Sequence, residues 1–337
     1  VPTTQPTHTP PRHVLVTGGA GFIGSHLTDL LLARGDHVTV VDDLSTGRRE
    51  NLGLSHRPNL TFVHSSLGDA LARMGDHDRF DQIYHLAAAV GVRLIVDEPI
   101  RSIETNIGET SALLAFAVAH GPAGGPAPTL IASSSEVYGK SEKSPFSEED
   151  DVVYGPTTRS RWSYAASKAI DEYLALAYHR QQNLGSVVAR FFNTVGPRQV
   201  GTYGMVLPNF VGAALRGDPL VIHGDGRQSR CFCDVRDVVE ALPRLLQTPA
   251  CHGRVFNVGS DRSLTIDALA DTVIRTLSSR SGKKYIPYDQ AYTSGFEDLR
   301  QRQPDLGRVR AAIGFSPRRA LEQTIIDLAQ WMKDGAH

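Results

Sequence analysis

Hydrophobic positions along the chain fall into short apolar runs separated by helical stripes. His13-Val14-Leu15-Val16-Thr17 has the unbroken apolar character of a strand buried on both faces. After a glycine-rich turn, Leu27, Leu30, Leu31 and Leu32 mark a helix that Gly35 ends. His37 to Val41 is a second buried strand, closing at Asp42 and Asp43. Thr61-Phe62-Val63 and Gln82 to Leu86 read as further strands, and Ile100 to His120 as a helix with small residues on one side. A Gly/Pro-rich turn leads to the strand Thr129 to Ala132. Alanines 165, 166 and 169 favour a helix in which Ile170, Tyr173, Leu174 and Ala177 extend an apolar stripe. Ser186 to Phe191 is another buried strand. This alternation predicts an α/β protein with a doubly wound parallel sheet.

From Asn193 onward loops lengthen, arginines scatter and apolar pieces shorten, as in Pro219 to His223. That change predicts a smaller α/β lobe at the C-terminal edge of the sheet, where ligands of such sheets bind. Arg254 to Val258 is expected to return to the sheet. The expected division is a nucleotide-binding domain over 12–191 with a return segment 234–262, and a lobe over 192–233 and 263–333. The Thr/Pro-rich residues 1–11 read as a mobile lead-in.

With 337 residues, 41% hydrophobic and 21% charged, the chain is long enough for two lobes. A formal net charge of −1 without blocks of like charge implies neither a nucleic-acid nor an acidic-membrane surface. Three cysteines cannot build a disulfide framework, and Cys231-Phe232-Cys233 lacks the second ligand pair of a zinc site, so no metal is expected. Without a membrane-length apolar run, or a basic start followed by an apolar core, the expected location is cytoplasmic.

The first strand, turn and helix carry candidate chemistry. Gly18, Gly21 and Gly24, with Phe22 and Ile23 between them, permit a tight turn and close backbone approach, so that a pyrophosphate can sit on the helix N-terminus. Asp42 is placed to accept hydrogen bonds from adenosine ribose hydroxyls, and its charge favours NAD over NADP. Tyr164 and Lys168, four apart, share one helix face. An ammonium near a phenol favours tyrosinate, which makes the pair a candidate base for a sugar hydroxyl.

These pieces together resemble the extended short-chain dehydrogenase/reductase family of nucleotide-sugar enzymes, from about His13 to Met332. The resemblance is carried by Thr17 to Gly24, the Ser/Glu cluster before Tyr138, and Tyr164-x-x-x-Lys168. His85-Leu86-Ala87-Ala88, Thr105-Asn106-Ile107-Gly108, Arg190 to Asn193 and Gly196-Pro197 match as well, as do Gly224 to Arg230 and Arg302 to Asp305. It implies tightly held NAD, a nucleoside-diphosphate sugar in the lobe, transient oxidation at sugar C4, and homodimers through a four-helix bundle that includes the Tyr-Lys helix. It extends the cofactor site to Asp43, Leu44, Ser45, Thr46 and Gly47, to Ser66 and Leu67, to Leu86, Ala87 and Ala88, and to Asn106. Ser66 departs from the Asp that members often have near the adenine. The implied substrate contacts are Ser135, Asn193, Val206, Val221 and His223, with Arg230 and Arg302 at the diphosphate, where an arginine fork suits phosphate.

The family's reactions begin alike. Tyr164 takes the C4 hydroxyl proton as hydride leaves C4 for NAD, Lys168 holds the tyrosinate, and Ser134 shares the hydroxyl hydrogen bond. A 4,6-dehydratase commonly adds adjacent Asp and Glu, but here the run is Ser134-Ser135-Glu136. A 4-epimerase needs no acid beyond the tyrosine. UDP-glucuronate decarboxylases resemble the chain best, with a hydroxyl residue, Ser, then Glu-Val-Tyr-Gly. Arg230 to Asp237, and Arg161-Trp162 before Tyr164, are similar to the decarboxylase domain of the bacterial polymyxin-resistance enzyme. That resemblance makes Glu136 and Arg230 an added catalytic pair. His85 to Val92 is as similar to epimerases as to decarboxylases. The expected activity is decarboxylation of UDP-glucuronate through a C4 ketone to UDP-xylose or UDP-4-keto-pentose; epimerisation and dehydration remain alternatives. A non-enzymatic NAD sensor would have no reason to keep Ser134, Tyr164 and Lys168 together.

Overall fold

The structure is a computed structural model that describes residues 10–88, 98–201, 205–291 and 300–335. The expected lead-in lies largely outside these residues, as do Ala89 to Val92 and the side chain of Arg161. Strands β1 (His13–Thr17), β2 (His37–Asp42), β3 (Leu60–His64), β4 (Gln82–His85), β5 (Thr129–Ser134) and β6 (Ser186–Phe191) join the strand Arg254–Val258 in one sheet. The sheet runs Arg254–Val258, β6, β5, β4, β1, β2, β3, with every neighbouring pair parallel. Strand order reverses between β1 and β4, which opens a crevice at their carboxyl ends. This is the Rossmann-like doubly wound architecture that the alternation predicts.

Both faces of the sheet are covered, which is why its strands read as unbroken apolar runs. On β1, Val14 and Val16 pack to one side with Leu27, Leu31, Val38 and Val40, while Leu15 packs to the other with Leu113, Ile131 and Val188. Two strands run farther than their apolar residues suggest. β5 continues through Ser133 and Ser134, which stay in register with Arg190 and Phe191, so the ladder carries the serines to the crevice. β2 likewise includes Asp42, paired with His64.

The helices Pro99–Ala119 and Ser163–Gln182 pack together, and Asn183 in the left-handed region (φ 53°) caps the second. The expected stripe on Ser163–Gln182 needs correction. Its buried face is Ala165, Lys168, Ala169, Glu172 and Ala175, whereas Ile170 and Tyr173 are exposed.

The lobe has its own core, with Leu207 and Phe210 from Val206–Arg216, Leu269 and Val273 from Ile266–Thr276, and Ile325 and Leu328 from Leu321–Lys333. Leu220–His223 pairs with Lys283–Ile286, and Ser229–Cys231 lies between Ser263–Thr265 and Gln301–Arg302. Leu306, Val309 and Phe315, within the stretch expected for the lobe, pack instead in the core of the sheet. Among the described residues no helix is long and apolar enough to cross a membrane.

Candidate active site

The turn after β1 forms a cradle that side chains would fill. Gly18 has φ 70°, and a Cβ there would lie 2.6 Å from the Ala87 nitrogen. A Cβ on Gly24 would come within 2.1 Å of the Gly18 carbonyl oxygen. Gly21 precedes the helix Phe22–Ala33 and no side chain caps it, so the first-turn N–H groups are left for an anion. At the end of β2, Asp42 accepts N–H groups from Ala20 (2.9 Å) and Leu44 (2.8 Å). Burial raises its pKa and these hydrogen bonds oppose the rise. Each carboxylate oxygen still has acceptor capacity for a ribose hydroxyl. Cradle, open helix end and acid fit a dinucleotide.

A cavity of about 1550 Å³ extends from this cradle to the lobe. Gly18, residues 21–24, Asp42, Asp43, Ser45, Thr46, Ser66, Leu67 and residues 86–88 all line it. Leu44, Gly47 and Asn106 do not. Leu44 takes φ 60° to donate to Asp42, and Gly47 sits where a Cβ would meet the Asp42 carboxylate at 2.8 Å. Buried Asn106 reaches Ser167 Oγ at 3.4 Å, bracing two helices. Ser66, at the position that departs from the family's Asp, caps the helix Leu67–Arg73 by accepting the Asp69 N–H.

Opposite the cradle, Ser134, Ser135 and Glu136 leave the end of β5 beside Tyr164 and Lys168, and all five line the cavity. The Glu136 N–H donates to Ser134 Oγ at 3.1 Å. The tyrosine departs from expectation. Its pKa is raised, first by burial and then by the Glu136 and Asp171 carboxylates, while a hydrogen bond with Ser134 works against the rise. The Lys168 ammonium, expected to lower that pKa, is paired at 2.8 Å with buried Asp171.

From the lobe come Asn193, Val206, Val221, His223, Arg230 and Arg302. Arg230 and Arg302 are register partners on adjacent parallel strands, each more than nine-tenths buried. Arg230 donates to the Ser229 carbonyl at 2.8 Å. Arg302 Nη1 donates to Glu136 Oε1 at 2.6 Å, a pairing the sequence reading did not anticipate. Arg302 Nε and Asn193 Nδ2 are buried with no hydrogen-bond partner among the described residues. Burial lowers the His223 pKa. It pushes the Cys231 thiol up to about 12, which leaves that cysteine inert.

Arg198 is a cavity residue the sequence reading passed over, although it directly follows the matching Gly196-Pro197 pair. It holds φ 69° and bonds Asp29 at 2.7 Å, while Pro197 offers its carbonyl to His26 at 3.0 Å. The start of the lobe is thereby tied to the helix behind the cradle.

Parallel sheet, glycine cradle and a Ser-Tyr-Lys set at one crevice define an extended short-chain dehydrogenase/reductase. The chain belongs to the GDP-mannose 4,6-dehydratase family, which it matches over residues 15–328. It is 37% identical over 327 residues to a UDP-N-acetyl-alpha-D-glucosaminuronate decarboxylase of Bacillus cytotoxicus, covering 96% of this chain and 98% of that one. It is 36% identical to UDP-glucuronic acid decarboxylase 4 of Arabidopsis thaliana, covering 92% of this chain and 66% of that one. Among solved structures, a UDP-N-acetylglucosamine 4-epimerase from Methanobrevibacter ruminantium superposes with TM-score 0.85 at 31% identity, covering 97% and 99% of the two chains. A dTDP-glucose 4,6-dehydratase from Streptomyces venezuelae with NAD bound gives 0.82 at 28% identity, covering 96% and 97%.

Proposed function

We propose that the protein is an NAD-dependent decarboxylase of UDP-linked uronic sugars, acting on UDP-glucuronate. The observation that carries this is the Glu136 carboxylate, held by Arg302 beside Tyr164 within the cavity that Arg230 also lines. Likeness to relatives named as decarboxylases supports it. Bound NAD supplies the acceptor for the C4 hydride. Tyr164 takes the C4 hydroxyl proton and Ser134 orients that hydroxyl. A ketone at C4 is β to the C6 carboxylate, so carbon dioxide can leave with its bonding electrons delocalised into an enolate. Arg230 steadies the developing oxyanion, and Glu136 serves the reprotonation of C5. The buried guanidinium pair at the lobe suits the diphosphate. UDP-4-keto-pentose, or UDP-xylose after return of the hydride, is the product.

The Bacillus relative favours a second reading, because this chain covers nearly all of it: a 2-acetamido uronate as the sugar. Product mass spectra from both UDP-uronates test the proposal. Loss of carbon dioxide supports it, whereas an isobaric epimer or a dehydrated sugar points to the other family reactions. A homodimer through Pro99–Ala119 and Ser163–Gln182 is supported by exposed Ile100, Ile103, Ile170 and Tyr173 on those packed helices. The cytoplasmic location rests on the sequence alone.

A further inference from the structure

Asp171 has no part in the chemistry above, yet it is fully buried and its Oδ2 lies 2.8 Å from Lys168 Nζ, one helical turn away. Removing either partner would leave a buried charge unpaired. The pair is also braced from behind. Burial raises the Asp171 pKa, and the Lys168 ammonium and then the Thr110 hydroxyl on Pro99–Ala119 oppose that rise. Thr110 Oγ1 is 3.0 Å from His85 Nε2, and His85 Nδ1 is 2.7 Å from Thr17 Oγ1. Thr17 Oγ1 in turn accepts the Ala87 N–H at 3.3 Å. These buried contacts run from the wall of the glycine cradle to Thr110, which opposes the rise in the Asp171 pKa. Burial, and then the charge of Lys168, lower the His85 pKa to about 3, so the ring stays neutral.

The charges around the phenol are few. Glu136 faces it from the turn after β5, Asp171 from its own helix, and Ser134 hydrogen-bonds it. Lys168 and Glu172 face Asp171, and Arg190 of β6 pairs with Glu172 at 2.6 Å. The phenol therefore meets a neutral Lys168–Asp171 pair instead of a lone cation. A lone cation would favour phenolate far more strongly.

We propose that Asp171 is a positioning residue. Its carboxylate anchors the Lys168 ammonium before substrate arrives and, as a fixed negative charge, sets how far the pH must rise before Tyr164 can take a proton. The role rests on Tyr164 being the base, but it can be read without turnover. A failed decarboxylation assay therefore leaves it standing.

The test is an ultraviolet difference titration of NAD-loaded protein, subtracting the Tyr164→Phe counterpart of each variant to isolate the Tyr164 phenolate. Asp171→Asn should move the phenolate midpoint down by about one pH unit or more. Asp171→Glu, which keeps the charge, should leave it near the parent value. An unmoved midpoint in Asp171→Asn, or an equal shift in Asp171→Glu, overturns the proposal. Should Asp171→Asn fail to fold, Lys168→Met with Asp171→Leu replaces the ion pair with apolar side chains, a change that buried pairs tolerate. The midpoint must then stay near the parent value, because a neutral pair has been removed. A displacement of a full unit contradicts the account.

Discussion

Arg302 and Glu136, 166 residues apart in sequence, meet at 2.6 Å and join the lobe to the turn after β5. Both line the cavity, and the arginine is the more deeply buried of the two. In the proposed roles, with Arg302 at the diphosphate and Glu136 serving reprotonation, this pair would couple substrate binding to the chemistry. Arg302→Ala should therefore weaken UDP binding by roughly tenfold to a hundredfold, the loss of a charged hydrogen bond. It should also lower kcat, because Glu136 loses its partner. Calorimetry with UDP and steady-state kinetics separate the two effects. An unchanged kcat would mean that the ion pair only ties the lobe in place.

Glu136→Gln leaves Ser134, Tyr164 and Lys168 intact, so sugar oxidation should proceed while later steps stall. Reduced nicotinamide absorbance should build up with UDP-glucuronate as carbon dioxide release falls steeply. Because the Glu136 charge raises the Tyr164 pKa, removing it should also shift the acid limb of the oxidation step to lower pH. Stopped-flow absorbance across pH, with carbon dioxide measured in parallel, checks both. Normal carbon dioxide release from this variant would reduce Glu136 to scaffolding.

Tyr164→Phe removes the phenolic oxygen and keeps nearly the same volume. Turnover should fall by about a hundredfold or more, the usual size of a general-base contribution. Circular dichroism and retained NAD binding establish that the fold survives. Parent-like turnover in a folded variant places the base elsewhere.

Asp42→Ala should weaken NAD binding and narrow the preference over NADP, since a carboxylate at the end of β2 opposes a 2′-phosphate. Fluorescence titration with both dinucleotides measures this. Comparable dissociation constants in the parent protein would remove the basis for the preference.

A structural prediction concerns Glu172, which bonds Arg190 through two carboxylate–guanidinium hydrogen bonds of 2.9 and 2.6 Å. Arg190 is buried and lies 4.7 Å over the Tyr138 ring centroid. Glu172→Ala strands that guanidinium and should cost about 3–5 kcal/mol of stability, read as a lowered denaturation midpoint.

The sheet was legible because strands buried on both faces keep unbroken apolar runs, and β1 with the glycines after it displays the cradle directly. Tyr164 and Lys168 were legible because helical spacing alone puts them on one face. What escaped depends on partners distant in sequence or on neighbours the pattern does not name. The expected strand stops at Ala132, yet pairing with Arg190 and Phe191 carries Ser133 and Ser134 into it. Ile170 and Tyr173 look like core from spacing, but Ser163–Gln182 turns its alanines and Glu172 inward. Nothing in the spacing of Tyr164 and Lys168 reveals that Asp171 holds the ammonium, or that two carboxylates raise the phenol. Those features come from packing and, after burial as the first cause, they work against the lowering expected of the tyrosine.

The most direct measurement supplies NAD-loaded protein with UDP-glucuronate, and separately with its 2-acetamido counterpart, each isotopically labelled at the C6 carboxyl. Released carbon dioxide is trapped and the nucleotide sugar is weighed by mass spectrometry. The account predicts that label leaves as carbon dioxide in step with a UDP-pentose or UDP-4-keto-pentose from at least one of the two. Label retained in an isobaric or dehydrated product from both would contradict it.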